Sequence, residues 1–156
     1  MILWRISNQA DLSGEGGRRA SARWHTAGRP VVYLTSSPAS ALLEVLVHGL
    51  ALDELPDTYQ WLEIEVAPDV RSAPVPMLPP DWRRDLSRSR AIGDAWLAAG
   101  ATPILQVPSV VAPKTTNYLL NPRHPDAARV RVASAIRYPV DRRLGRPRRI
   151  TGRGSD

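Results

Sequence analysis

The run from Ser21 to His48, SARWHTAGRPVVYLTSSPASALLEVLVH, constrains this chain more than any other, because it fixes a turn, a strand and a helix in order. Pro30 leads into Val31–Leu34, a β-branched and aromatic run with strand character. Ser37 followed by Pro38 is a helix start, with Ser37 as N-cap and Pro38 at the first helical position. The helix is expected to run to about His48 and to stop at Gly49. Arg23, Tyr33 and Glu44 lie about ten residues apart on these three supports. A cation, an aromatic ring and a carboxylate brought together suit an anionic, ring-bearing ligand on which positive charge develops.

Outside that run the pattern is mostly β. Ile2–Ile6 reads as a first strand, and Ala10–Arg19, with Gly14, Gly16 and Gly17, as a flexible loop. Tyr59–Val66 alternates Leu62, Ile64 and Val66 with Glu63 and Glu65, the period of a half-buried strand. Residues Pro68–Pro80 hold five of the fifteen prolines and exclude one regular element there. Ser89–Ala99 is expected to be a helix closed by Gly100, weakened by Gly93. Ile104–Val107 reads as a strand that Pro108 breaks and Ser109–Ala112 continues. Asn117–Pro122 reads as a turn or short helical loop, and Val130–Ala133 and Ile136–Tyr138 as late strands. Strands and helices do not alternate regularly. The expected class is therefore α+β, a single domain with a mixed or mainly antiparallel sheet and flanking helices.

Composition narrows the function. The 156 residues suit one domain, and an apolar fraction of 43% supports a core. Cysteine is absent, which excludes disulfides, thiolate zinc sites and a Cys nucleophile and fits a reducing, cytoplasmic setting. No apolar run approaches the roughly 18 residues of a membrane span, and MILWRIS lacks the build of a signal peptide. The net charge is +6, but the seven Arg and two Asp from Arg137 to Asp156 supply +5 of it. After Leu144 apolar periodicity ends, and residues 145–156 are expected to form a basic, mobile tail. Such a tail suits nucleic acid, an acidic partner or solvent alone.

Each candidate residue has an ordinary reading beside a chemical one. Glu44 is the only charge between Ala39 and Val47. It belongs either to a narrow wet stripe with Ser37 and His48 or to a cleft, where its carboxylate would stabilise an oxocarbenium-like transition state. Tyr33 is a core tyrosine or a ring stacked on a base. Arg23 is a surface arginine or a fork for pyrophosphate. Arg5, in the apolar ILWRI, must point outward or have a partner. Ser109 and Asn121 sit at proline turns and are turn formers or hydrogen bonders to a ribose or amide. A Rossmann fingerprint, a P-loop, a zinc helix pair and a nucleophile elbow are all missing.

The ordered series WRI, GG then ARWH, GRPVVYL, SPASALLEVLVH, a Trp-bearing strand, LPPDW, IGDAWL, LQVPSVVAP, NYLLNPRHP and DRRL resembles the RES-domain family, named for its Arg, Glu and Ser. The resemblance covers Leu3 to Leu144, so residues 1–144 are expected to be a RES domain. One departure is Ala22, where the family often has Gly.

The resemblance implies a fold similar to NAD-dependent ADP-ribosyltransferases and the toxin of a type II toxin–antitoxin system, acting on NAD as substrate without a metal. It implies cleavage of the nicotinamide–ribose bond, with ADP-ribose passed to water, phosphate or a protein. Glu44, Arg23 and Tyr33 are then the catalytic set, and Arg5, Arg23, Tyr33, Ser109 and Asn121 bind NAD. The implied partners are a cognate antitoxin and a protein target of ADP-ribosylation. No membrane is implied, nucleic acid is not expected to bind directly, and a homo-oligomer stays open. The rival reading is a non-enzymatic nucleic-acid-binding module using the Arg-rich tail.

Overall fold

The computed structural model describes residues 1–47, 58–141 and 144. Seven strands form one sheet in the order β4-β5-β6-β2-β1-β3-β7. They are β1 (Ile2–Ser7), β2 (Val32–Thr35), β3 (Gln60–Val66), β4 (Ser72–Pro74), β5 (Ile104–Pro108), β6 (Thr116–Leu120) and β7 (Val130–Ile136). Only β4 and β5 pair in parallel; every other pair is antiparallel. Among the described residues three α-helices accompany them, α1 (Glu15–Arg19), α2 (Pro38–Val47) and α3 (Leu86–Ala99), with a short 3-10 helix at Pro125–Arg129. The expected α+β class with a mixed, mainly antiparallel sheet is the class observed.

Register assigns side chains to faces. Leu3, Val32, Leu34, Leu62, Ile64 and Ile104 are fully buried together on one face, each contributing roughly 1.5–3 kcal/mol of burial before entropy is counted. On the opposite face Leu105, Val107 and Leu119 pack with Val31, Trp24 and Trp82, and with Ile92, Trp96 and Leu97 of α3. In a chain without Phe, the Trp24 and Trp82 rings, 5.7 Å apart, fill the space between sheet and helix.

Local chemistry explains the helix starts. The Ser37 hydroxyl accepts from the Ser40 backbone N–H at 3.2 Å, one turn into α2. Asp85 caps α3 by accepting from Ser87 N–H, so this helix begins three residues before the expected Ser89. Gly100 closes it in the left-handed region at φ 57°.

Four expectations change. Ala10–Arg19 is not loop throughout, because Gly14 (φ 75°) turns the chain into the short helix α1, where Glu15 and Arg18 pair at 2.9 Å. Asn117–Pro122 is not a turn; residues up to Leu120 form β6, bonded to β2 on one side and β5 on the other. Ser109–Ala112 does not continue β5, because the Ser109 hydroxyl bends it by accepting from Val111 and Ala112 N–H. The two late strands are one, β7, with an irregularity opposite Glu63 and Ile64. The end of α2 at His48 and Gly49, and the tail 145–156, lie outside the described residues.

Candidate active site

Arg23 belongs to the segment 22–26, which one face of α3 grips. Ser89 Oγ donates to the Arg23 carbonyl at 2.8 Å, and Arg90 Nε donates to the Ala22 carbonyl at 2.9 Å. Asp94 accepts from Thr26 N–H at 3.0 Å and from its hydroxyl at 2.7 Å. Gly93 sits where the helix meets the Trp24 carbonyl; a Cβ there would stand 1.8 Å from that oxygen. The glycine that weakens the helix in sequence is what allows this approach. Ala22 has no left-handed backbone, and its main chain does the holding, so its methyl is accommodated.

The segment is tied to β2 by Tyr33. The buried His25 points Nε2 at the carbonyls of Gly17 and Ala20, 3.1 and 3.0 Å away. Carbonyls only accept, so Nε2 carries the proton and Nδ1 accepts. Tyr33 therefore donates its hydroxyl to His25 Nδ1 at 2.9 Å, and accepts from Trp24 N–H at 3.1 Å. Burial pushes the Tyr33 hydroxyl above the usual tyrosine range, so it stays neutral. With its one proton committed, Tyr33 offers a ligand its ring rather than a donor.

Glu44, half-buried on α2, receives two neutral donors on one oxygen. Ser109 Oγ donates to Oε1 at 3.1 Å and Asn117 Nδ2 at 2.7 Å. The Ser109 hydroxyl accepts from two backbone amides, so its own proton is left for Glu44. Oε2 has no hydrogen-bond partner among the described residues. Arg23 donates to the Arg83 carbonyl at 3.1 Å. Burial lowers its guanidinium below the usual range, and the field of Glu44 opposes that shift. The cation and the carboxylate thus act on one another electrostatically. A cavity of about 360 Å³ opens beside Ser109, with Arg83 and Lys114 in its wall and no carboxylate among its lining residues.

Four of the six expected site residues, Arg23, Tyr33, Glu44 and Ser109, come together on the sheet face that carries Asn117 and Leu119. Arg5 does not join them. It pairs with Leu62 across β1 and β3, which places it on the opposite face with Leu3 and Ile64. Burial lowers its guanidinium, opposed by Asp11 and Tyr59. Asn121 lies past the far end of β6, four residues and roughly 13 Å from Asn117 at the rise of a strand. Its side-chain oxygen accepts from Arg123 N–H, which is turn chemistry. Sequence reasoning missed Asn117, which stood inside an expected turn, and the α3 residues that hold the arginine segment. The Gly-Asp of IGDAW was the available signal for the latter.

A curled, mainly antiparallel α+β sheet that carries a hydrogen-bonded Glu44 and Ser109 defines the class of fold, and comparison with known proteins gives the family. Residues 2–141 match the RES domain model, and this chain belongs to that family. It is 50% identical over 134 residues to Toxin Res of Pseudomonas putida KT2440, covering 85% of this chain and 92% of that protein. It is 37% identical over 154 residues to the Prs ADP-ribosylating toxin of Sphingobium sp. YBL2, covering 91% and 95%. Among solved structures, the crystal structure of the M. tuberculosis MbcT–MbcA toxin–antitoxin complex has a chain that matches with a TM-score of 0.67 at 19% identity, covering 88% of this chain and 83% of that one. At that identity the likeness shows the fold. No helix among the described residues is long and apolar enough to cross a membrane.

Proposed function

We propose that this chain is the toxin of a toxin–antitoxin pair and that it breaks the nicotinamide–ribose bond of NAD, passing ADP-ribose to a protein, water or phosphate. The observation that carries this reading is the Glu44 carboxylate, anchored through Oε1 by Ser109 and Asn117 with Oε2 free of hydrogen bonds among the described residues, in the field of Arg23. The Sphingobium relative, named for ADP-ribosylation, supports the same chemistry.

The geometry supports the following roles. Arg23 would hold the pyrophosphate, with its guanidinium aimed by the Arg83 carbonyl. The Tyr33 ring would stack on nicotinamide. As the C–N bond breaks, its electron pair leaves with nicotinamide and neutralises the ring nitrogen, and positive charge builds on the ribose. Oε2 of Glu44 would stabilise that charge, directly or by gripping a ribose hydroxyl. The acceptor oxygen or nitrogen then bonds to the anomeric carbon and gives up its proton. Ser109 would act chiefly through Glu44, since its hydroxyl is already engaged there. Arg5 and Asn121 are left out of this arrangement.

Purified protein incubated with NAD is expected to release nicotinamide, and Glu44→Ala is expected to abolish the release; full activity in that variant would refute the role of the carboxylate. Labelled NAD with a cell lysate then names the acceptor: a labelled protein band means transfer, and free ADP-ribose alone means hydrolysis. A cognate antitoxin is the expected partner, and co-expression with it should restore growth.

A further inference from the structure

We infer that Asn117 is a positioning residue that sets the Glu44 carboxylate for bond cleavage. The inference rests on the proposed use of Glu44. The Asn117 amide is on β6, paired with Thr35 on one side and Val107 on the other, so its backbone is fixed at the centre of the sheet. Its side chain is 9% exposed and reaches Oε1 of Glu44 at 2.7 Å, shorter than the 3.1 Å contact from Ser109.

The carboxylate settles the amide's orientation, because only the nitrogen can donate to it. That choice has a cost. The other end, Oδ1, is buried and receives no hydrogen bond from any described residue. A buried acceptor left unpaired opposes folding, and an apolar side chain of similar size would remove the penalty. A purely structural position on β6 therefore has no use for an amide. Among the described residues its nitrogen donates to Glu44 alone.

The consequence is directional. Ser109 and Asn117 donate to the same oxygen from two elements, a turn after β5 and the strand β6. Two donors on Oε1 fix the carboxylate's rotation as well as its place, and they leave Oε2 without a hydrogen bond among the described residues. With Ser109 alone, the carboxylate can swing about that one bond. The charges of Arg23 and Glu44 also act on one another, but Arg23 makes no hydrogen bond that would hold the carboxylate in place. Losing Asn117 should then slow the chemical step more than it weakens NAD binding.

The test is Asn117→Ala, Asn117→Asp and the wild type, compared in steady-state nicotinamide release and in crystal structures, with thermal unfolding confirming a fold. For N117A the expected result is a fall in kcat on the order of 10- to 100-fold, with KM changed by less than about threefold. N117D separates positioning from structure. When protonated, its carboxyl donates to Glu44 as the amide does. The adjacent carboxylates keep one shared proton to a higher pH than either would alone, and once both are ionised the Asp repels Glu44. Activity in N117D should thus approach the wild type at low pH and fall as pH rises, a limb the wild type lacks. A kcat unchanged in N117A, a loss carried wholly by KM, or an N117D profile parallel to the wild type would each overturn the inference. So would a crystal structure of N117A with Glu44 in its original place. If the wild type proves inert toward NAD while Glu44 moves in N117A, the NAD reading fails and the positioning role stands.

Discussion

Ser109 Oγ lies 3.1 Å from Oε1 of Glu44, across 65 residues of chain, and donates the only proton it has. The same oxygen accepts from the amides of Val111 and Ala112. One hydroxyl therefore both shapes the turn after β5 and anchors the carboxylate.

Ser109→Ala removes all three bonds. It leaves two amides unpaired in a half-buried turn and should lower stability by about 1–3 kcal/mol. A domain of this size should then melt a few degrees lower, roughly 2–4 °C for each kcal/mol. Nicotinamide release should fall as well. Calorimetry and an activity assay on one preparation check both.

Tyr33→Phe keeps the ring and deletes the hydroxyl between Trp24 N–H and His25 Nδ1. Both partners are then buried and unpaired, at about 1–3 kcal/mol. The loosened Arg23 segment should raise KM for NAD. Alkaline behaviour offers a second check. The folded protein holds this hydroxyl above the ordinary tyrosine value of about 10. Its contribution is therefore complete below about pH 10 and is lost as pH rises beyond it, because the unfolded chain releases the proton first. Stability of the wild type should decline more steeply above pH 10 than that of Tyr33→Phe, measured by denaturant unfolding.

Gly93→Ala puts a Cβ 1.8 Å from the Trp24 carbonyl, backbone that cannot swing aside. The helix and the arginine segment must part, which should cost several kcal/mol on the scale of an overpacked core and abolish activity. Gly16→Ala is the control. A methyl there meets nothing within 4 Å, and within α1 it should be neutral or stabilising by up to about 1 kcal/mol. Circular dichroism melts of the two variants should diverge sharply.

Asp85 caps α3 by accepting from the hydroxyl and the backbone N–H of Ser87, and chiefly the hydroxyl bond draws its carboxyl below the usual range, helped by the backbone bonds and Arg88. Such a group adds stability above the unfolded value near 4, and the benefit fades as pH falls through the folded value. Asp85→Ala should therefore melt below the wild type at neutral pH, with the gap narrowing as pH falls below the unfolded value. A gap of constant size would remove the charged cap from the account.

What the sequence discloses and what it hides follow one physical line. The Ser37–Pro38 start of α2 and the alternation of Leu62, Ile64 and Val66 are local signals, and the structure carries both. β6 was hidden because Asn117 and the following Asn-Pro favour turns, and only hydrogen bonding from β2 and β5 on both flanks overrides them. α1 was hidden by its glycines. Arg5 stood out as a charge in an apolar strand, but its face depends on register against Leu62, which no single strand reveals. Glu44 and Ser109 were legible as residue types. Their meeting through one proton, and the third member from β6, belong to tertiary structure.

The grip of α3 on the segment 22–26 has a genetic consequence. Colonies that survive expression of this protein should carry lesions of two kinds. Some will strike Glu44 or Arg23 themselves. Others will fall at Ser89, Gly93 or Asp94, on the helix that holds the arginine segment, and will silence the protein by letting its arginine drift.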